Sequence, residues 1–202
     1  DMLTADVSGT GGTDIAILYD APTDDELVAS ETEAIFDYAA TVGFDANLTA
    51  RGFDQTYSYA TSGGNDISTM LGSTGDDRFT AKQTYNNLRG DGGAYFHYAS
   101  GFEESLADVS VGGGDDVAFL YDAPTDDFVR ISPTQALLNY DAVASPVIDV
   151  TATGFPEVYA YAEDGGTDAA ILHGSSGIDK FYGLTNYSYL RAGDYSYFNY
   201  VR

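Results

Sequence analysis

Short apolar segments separated by polar turns run along the whole chain. The segments DIAILY, from Asp14, and DVAFLY, from Asp116, each follow a pair of glycines, whereas TYSYA, from Thr56, and VYAYA, from Val158, alternate aromatic with small residues. A period of two puts the aromatic side chains on one face of an extended strand. Turn sequences rich in Gly, Pro, Asp and Ser recur roughly every 8–12 residues, which is typical of all-β folds. The pattern predicts many short strands.

No segment has a convincing helical period. The nearest is DDELVASETEAIFDYAATV at residues 24–42, and its counterpart later in the chain, DDFVRISPTQALLNYDAVA, contains Pro133. Proline breaks the interior of a helix. We therefore predict strands in both places and an all-β fold.

The chain repeats itself. The octapeptide LYDAPTDD occurs at residues 18–25 and again at residues 120–127, 102 positions later. When residues 1–100 are aligned with residues 103–202, 42 of the 100 pairs are identical without a gap. Repetition at a fixed offset indicates structural units that stack on one another.

Each of these long units divides into two repeats of about 51 residues, with odd-numbered and even-numbered repeats spelled differently at their turns. Two sets of aspartates mark the repeats, the first in Gly-Gly-x-Asp sequences and the second eleven residues later: Asp14, Asp66, Asp116 and Asp168, then Asp25, Asp77, Asp127 and Asp179. Residues 1–202 are interpreted as one segment, with repeats at 11–62, 63–112, 113–164 and 165–202 and residues 1–10 as the tail of a preceding repeat. Four positions after each first Asp stands an apolar residue that we expect in the core: Leu18, Met70, Leu120 and Leu172.

Five or six short strands in each repeat suit two stacked coils, which bring equivalent positions into line at about 4.8 Å per coil. We predict a β-solenoid, in the form of a right-handed parallel β-helix with about two coils per repeat; a β-propeller and a β-sandwich are the alternatives. The four Gly-Gly-x-Asp turns should then lie along one edge. Asp1 aligns with Asp54, the residue after a Gly-Phe pair, and Arg202 falls just before the next such pair. We therefore expect covalent continuation into more repeats, or end-to-end stacking on an identical segment to form a filament.

The composition of the chain limits the classes of partner that it can bind. The chain has 32 acidic and 8 basic residues and a formal net charge of −24. That charge repels phosphate backbones and anionic lipid, so we expect no nucleic-acid partner. No apolar run approaches the ~18 residues of a membrane helix, so we expect no membrane insertion. The chain has no cysteine, which excludes disulfides and thiolate metal sites.

The two sets of aspartates are the candidate site residues, and they have two interpretations. A carboxylate beside a glycine turn can accept backbone N–H groups and close the turn. Alternatively, Asp14, Asp25, Asp66, Asp77, Asp116, Asp127, Asp168 and Asp179 can supply oxygen ligands to calcium, which takes six to eight of them. Ile178, which replaces the first Asp of an Asp-Asp pair in the fourth repeat, weakens the calcium interpretation there.

Catalysis is not expected, because the acids recur in every repeat whereas an active site needs one special location. The residues that break the repeat, His97 and His173, are interpreted as surface histidines. A β-helix polysaccharide lyase or hydrolase is the least favoured alternative. The tyrosine pairs Tyr57/Tyr59 and Tyr159/Tyr161 are interpreted as packing ladders, although an exposed tyrosine stripe also suits surface glycans.

The strings GGTDIAILYDAPTDD, VYAYAEDGGTDAAIL and GSTGDDRF resemble the tandem ~50-residue repeats of large secreted or surface proteins of planctomycete-type bacteria. The turns also partly resemble the calcium-binding nonapeptide repeats of secreted toxins. The first resemblance implies a long extracellular or cell-surface β-helix with little chemistry. We accordingly expect a structural module of a fibre, stalk or surface layer; an adhesin or carbohydrate-binding module with calcium-stabilised turns is the alternative.

Overall fold

The computed structural model describes residues 2–9, 11–41, 44–143 and 147–202, and these residues form twenty strands and one short 3-10 turn, Asp91–Gly93. Numbered in chain order, the strands are β1 (Met2–Asp6), β2 (Ile15–Tyr19), β3 (Asp25–Ser30), β4 (Glu33–Thr41), β5 (Phe44–Arg51), β6 (Gln55–Tyr59), β7 (Ile67–Leu71), β8 (Asp77–Lys82), β9 (Tyr85–Gly90), β10 (Phe96–Ser100), β11 (Glu104–Asp108), β12 (Val117–Tyr121), β13 (Phe128–Ile131), β14 (Gln135–Asn139), β15 (Val150–Thr153), β16 (Glu157–Tyr161), β17 (Ala169–Leu172), β18 (Asp179–Gly183), β19 (Ser188–Ala192) and β20 (Phe198–Val201). No helix among the described residues has the length and apolarity that crossing a bilayer requires.

The strands form two ten-stranded sheets. Sheet A has the order β1-β5-β4-β3-β7-β11-β15-β14-β13-β17, and sheet B has the order β18-β19-β20-β16-β12-β8-β9-β10-β6-β2. Both sheets are mixed. Among the described residues, ten strand pairings are parallel and eight are antiparallel.

The path of the chain explains the long repeat. In the first repeat the chain lays β2 in sheet B, builds the antiparallel meander β3-β4-β5 in sheet A, and returns to sheet B as β6. In the second repeat the two sheets exchange roles: β7 and β11 lie in sheet A, and the meander β8-β9-β10 lies in sheet B. The same orientation therefore returns only after two repeats, which is why the octapeptide recurs at 102 residues.

The predicted all-β fold is confirmed, and residues 24–42 contain β3 and β4 rather than a helix. The meanders differ from the expected all-parallel coil. Two residues separate β3 from β4, and two separate β8 from β9. So short a connection can join only antiparallel neighbours.

The expectation that all four Gly-Gly-x-Asp turns lie along one edge is wrong. Asp14 and Asp116 precede β2 and β12 in sheet B, whereas Asp66 and Asp168 precede β7 and β17 in sheet A. The chain crosses from the end of β2 in sheet B to the start of β3 in sheet A, and from the end of β6 to the start of β7. The strands that follow a Gly-Gly-x-Asp turn therefore begin at opposite edges in the two sheets. The turns therefore alternate between two edges, two on each.

The core lies between the two sheets and takes every second residue of interior strands such as β3, β6 and β12, whereas β1, β17 and β18 at the sheet edges have no buried residue. The predicted core positions are confirmed: Leu18, Met70 and Leu120 are buried, and Leu172 is partly buried against the core. They do not form a single stack, because successive members lie in opposite sheets. Burial of each such side chain stabilises the fold by roughly 1.5–3 kcal/mol.

Candidate functional site

The turn at residues 20–25, where the chain crosses from β2 to β3, is closed by one carboxylate. Asp25 Oδ2 accepts the backbone N–H of Ala21 at 2.7 Å, and Asp25 Oδ1 accepts the Thr23 hydroxyl at 2.8 Å. Pro22 suits the turn because its φ is already fixed. Asp25 is 2% exposed, so its negative charge is stabilised by these donors rather than by water.

The second Asp of each later repeat likewise accepts hydrogen bonds that close the turn between the two sheets. Asp77 accepts the N–H of Ser73 at 2.6 Å, and Asp127 accepts the N–H of Ala123 at 2.5 Å. Asp179 accepts the hydroxyl of Ser175 at 2.9 Å. In the even repeats a tyrosine adds a further donor, from Tyr95 to Asp77 at 2.7 Å and from Tyr197 to Asp179 at 2.6 Å.

The first Asp of each repeat joins one repeat to the one before it. The Asp25 N–H donates to Asp66 Oδ1 at 2.8 Å. The equivalent bonds run from Asp77 to Asp116 at 2.7 Å and from Asp127 to Asp168 at 3.0 Å. We call this set of three bonds the aspartate clasp. Asp14, at the start of the first repeat, donates its own N–H to Asp54 Oδ2 at 2.7 Å.

The second glycine of the Gly-Gly-x-Asp turn makes the clasp possible. Gly64 has φ of +136°, and a Cβ built on it would lie 2.1 Å from the Thr23 carbonyl oxygen. Gly166 has φ of +92°, and its Cβ would lie 1.9 Å from the Thr125 carbonyl oxygen. Only glycine allows both this backbone conformation and this approach of the neighbouring turn.

Burial changes the acidity of the clasp. The pKa of Asp66 and of Asp116 is raised to about 6, mainly by burial; the clasp N–H acts to lower it and neighbouring carboxylates act to raise it. Burial also raises the pKa of Asp168. The clasp carboxylates thus favour the protonated form more than an exposed aspartate does.

Within the described residues, one group of three carboxylates comes together closely enough to hold a metal ion: Asp122, Asp127 and Asp168 offer oxygens within 4.8 Å of one another. They line a cavity of about 290 Å³. Only the odd repeats can form such a group, because Gly72 and Gly174 occupy the position of Asp122 in the even repeats. Two of the eight predicted residues, Asp127 and Asp168, therefore meet at the cluster.

Sequence reasoning missed Asp122, although it is the Asp of the repeated LYD sequence. Its counterpart Asp20 accepts the Ser62 N–H at 2.6 Å on Oδ2 and the Thr61 hydroxyl at 3.5 Å on Oδ1. Asp122 Oδ2 accepts the Asp164 N–H at 3.0 Å, but its buried Oδ1 has no hydrogen-bond partner. The two odd turns are therefore chemically different.

A tyrosine beside each odd turn differs in the same way. The Tyr38 hydroxyl donates to the Tyr19 carbonyl oxygen at 2.7 Å. The equivalent Tyr140 hydroxyl is buried without a partner. Burial, followed by the charges of Asp127, Asp149 and Asp122, raises the pKa of Tyr140 well above its usual value. The Tyr140 hydroxyl thus lies within the electrostatic reach of the carboxylate cluster.

The interpretation of His97 as a surface histidine is wrong, because its side chain is 1% exposed. Its Nε2 lies 2.8 Å from the Ser30 carbonyl oxygen and its Nδ1 lies 2.5 Å from the Thr56 hydroxyl. A carbonyl only accepts, so Nε2 carries the proton and Nδ1 accepts from Thr56. Burial lowers the pKa of His97 to about 4, so the ring is neutral at pH 7. His173 is exposed, as expected.

The outer face of sheet B carries ladders of aromatic rings. Tyr19 stacks on Tyr59, Phe119 on Tyr159 and Tyr121 on Tyr161, with ring centroids 5.4, 5.3 and 5.2 Å apart. Further contacts extend the ladders through Tyr57, Phe96, Tyr98, Tyr85, Phe198, Tyr200, Tyr189 and Tyr182. Some of these contacts are stacked and others tilted, so the rings cover part of one another's faces, whereas Tyr19 and Tyr182 on the edge strands remain 58% and 40% exposed.

No family model, no curated protein and no solved structure matches the chain.

Proposed function

We propose that the chain is a structural repeat module of an extracellular fibre, stalk or surface layer, built on a β-solenoid principle and lengthened by further repeats or by copies of itself. The observation that carries this proposal is the aspartate clasp, which joins each repeat to the next by the same bond. The clasp carboxylates, of which Asp66 and Asp116 are buried and Asp168 is exposed, accept backbone N–H groups of the neighbouring repeat. A clasp of this kind holds a stack together and needs no substrate.

The two ends of the molecule support assembly in line. Phe181 is 64% exposed on β18, whereas its equivalent Phe79 is fully buried by the following repeat. In the interior β11 pairs with β7 and β12 pairs with β8, all parallel. A second copy placed with its β1 on β17 and its β2 on β18 would repeat those two pairings. Asp14 of that copy would then stand opposite Asp179 as Asp116 stands opposite Asp77.

The aromatic ladders favour the same role over glycan binding. A sugar ring stacks on the open face of an aromatic ring, but Phe119 and Tyr159 lie nearly parallel, 11° apart, and cover one another. Ring stacking contributes about 0.5–1.5 kcal/mol per pair beyond burial, so the ladders stiffen sheet B along its length.

Self-association of the 202-residue chain tests the proposal. We expect light scattering and electron microscopy to show linear assemblies that grow with protein concentration, because exposed apolar surface such as Phe181 drives association. The variant Phe181→Lys should stay monomeric, whereas Val111→Lys, at a turn residue that is 94% exposed, should assemble normally. A monomer at all concentrations, together with selective retention on a glycan array, would favour the adhesin alternative instead.

A further inference from the structure

We propose that Asp122, Asp127, Asp168 and Tyr140 form a divalent-cation site, best suited to calcium, at one of the two odd turns. The ligands are all oxygens, as hard cations such as calcium require. The proposal is independent of the assembly role, because it concerns a single turn within one chain.

The first observation is the close approach of like charges. Oxygens of Asp122, Asp127 and Asp168 come within 4.8 Å of one another, and Asp122 is only 7% exposed. Asp127 is also buried, whereas Asp168 is exposed, so the repulsion is strongest between the two buried carboxylates. A divalent cation between them would reverse the sign of the interaction.

The second observation is a pair of buried oxygens with no donor or acceptor to satisfy them. Asp122 Oδ1 and the Tyr140 hydroxyl have no hydrogen-bond partner, and Tyr140 is 9% exposed. They are two of six such buried atoms among the described residues, and they belong to one place: Asp122 is a member of the cluster, and Tyr140 precedes Asp141, whose N–H donates to Asp127 Oδ1 at 2.8 Å. Buried polar atoms are nearly always satisfied, so two unsatisfied atoms at one carboxylate cluster point to a ligand. Both a carboxylate oxygen and a phenol oxygen can face a cation.

The other odd turn is an internal control. There the Thr61 hydroxyl reaches Asp20 Oδ1, and the Tyr38 hydroxyl reaches the Tyr19 carbonyl oxygen. In the second half of the chain Glu163 replaces Thr61 and forms a salt bridge with Arg202 instead. The same octapeptide thus has a self-satisfied turn in one half and an unsatisfied turn in the other.

The site has room for a hydrated ion. The three carboxylates line the cavity of about 290 Å³, together with apolar residues and the segment that leads into β19. All three carboxylates already accept backbone N–H groups: Asp122 from Asp164, Asp127 from Ala123 and Asp141, and Asp168 from Asp127. Waters in the cavity would complete the six to eight oxygens that calcium takes.

Calorimetric titration of the intact chain with calcium chloride, in 0.15 M salt with magnesium in excess, tests the proposal. We expect one saturable site. The variants Asp122→Asn and Tyr140→Phe should each weaken binding about tenfold or more, whereas the matched variants Asp20→Asn and Tyr38→Phe should leave the affinity unchanged. Terbium gives a second readout, because its emission can be sensitised by nearby tyrosine and the chain has no tryptophan.

Two results would overturn the proposal. The first is equal weakening by the variants of both odd turns, or binding that never saturates, which would indicate diffuse attraction to the acidic surface. The second concerns the thermal midpoint of unfolding. If calcium does not change the midpoint, mild acidification raises it, and Asp122→Asn abolishes that increase, then a shared proton rather than a cation stabilises the cluster. Circular dichroism identifies any variant that fails to fold, and Tyr140→Phe, the mildest change, then decides. Phe181→Lys should bind calcium normally, so failure of the assembly proposal would not be mistaken for failure of this one.

Discussion

The two halves of the molecule share one strand plan but stabilise their interiors differently. In the first half Thr56 and His97 face each other in the core, whereas the same positions in the second half hold Val158 and Asn199. Asn199 still reaches the neighbouring sheet, because its Nδ2 donates to the Ser132 carbonyl oxygen at 3.3 Å. His97 makes the corresponding contact to Ser30.

This difference separates what the fold requires from what it tolerates. The shared residues are the turn glycines, the clasp aspartates and the small residues of the inner face, and they determine the path of the backbone. The buried polar residues vary, although His97 and Asn199 both contact a serine carbonyl oxygen at the equivalent position. Substitutions at the shared residues should therefore destabilise either half, whereas substitutions at the variable residues should affect one half only.

The largest effect is expected at the second glycine of the Gly-Gly-x-Asp turn. Gly64→Ala and Gly166→Ala should each destabilise the fold by roughly 3 kcal/mol, because the new Cβ meets a carbonyl oxygen and the backbone has a positive φ. Urea unfolding followed by circular dichroism measures this. Gly63→Ala and Gly165→Ala are matched controls with positive φ but open space around the Cβ, and they should cost about 1 kcal/mol. Equal costs for both glycines would show that the close approach does not matter.

The next largest effect is a pH dependence confined to the first half. The pKa of His97 is about 4 in the fold and about 6.5 when unfolded, so the unfolded chain takes up the proton first as the pH falls. Stability present above pH 6.5 is therefore lost towards pH 4, by about 2–3 kcal/mol at pH 4.5. The double variant Thr56→Val with His97→Asn copies the second half and should lose this dependence.

Asp66 and Asp116 act in the opposite direction, because their folded pKa of about 6 lies above the unfolded value. Their contribution is present below pH 4 and is lost as the pH rises towards 6. Both aspartates are present in the parent chain and in the double variant. The unfolding free energy of the parent minus that of the variant, measured at pH 7 and again at pH 4.5, therefore changes only through His97. An unchanged difference would contradict the buried neutral imidazole.

A smaller effect distinguishes the two tyrosine hydroxyls. In the presence of a chelator Tyr38→Phe should cost about 1 kcal/mol, because it removes the bond to the Tyr19 carbonyl oxygen. Tyr140→Phe should be neutral or slightly stabilising, because it removes a buried hydroxyl with no partner. Thermal unfolding of the two variants side by side gives the answer. A similar cost for both would mean that the two turns are equivalent after all.

The smallest effect concerns the ladders. Tyr159 contacts Phe119, Phe198 and Tyr200, whereas the equivalent Tyr57 faces Ile17 instead of a ring on one side. Tyr159→Val should therefore cost about 0.5–1 kcal/mol more than Tyr57→Val. Urea midpoints measured on both variants would reveal it, and a larger cost at Tyr57 would argue that burial outweighs ring stacking.

The all-β fold, the repeats and the core positions could be predicted because their signals are local: turn letters at fixed offsets and apolar residues at a fixed distance from them. The exchange of sheets between repeats could not be predicted. It depends on where the chain crosses from one sheet to the other, and the same pattern of apolar and polar residues suits a strand of either sheet. The sequence around His97 does contain a signal for its burial. In Phe96-His97-Tyr98-Ala99, alternation puts His97 on the face shared with Ala99, opposite the aromatic face.

The candidate site was half predictable. Asp127 and Asp168 stand at fixed repeat offsets, but the cluster needs Asp122 as well. Its distinctive chemistry depends on Glu163 standing where Thr61 stands in the other half. A single side chain 41 residues further along the same repeat therefore decides whether the turn is satisfied, and no spacing along the chain shows that those residues meet.

The exchange of sheets has a consequence for how such a gene can grow or shrink. Loss of one repeat of about 51 residues would turn every later repeat over, so that its aromatic strands would enter sheet A and interrupt the ladders of sheet B. Loss or duplication of 102 residues preserves the phase. The length of such a chain should therefore vary in whole pairs of repeats.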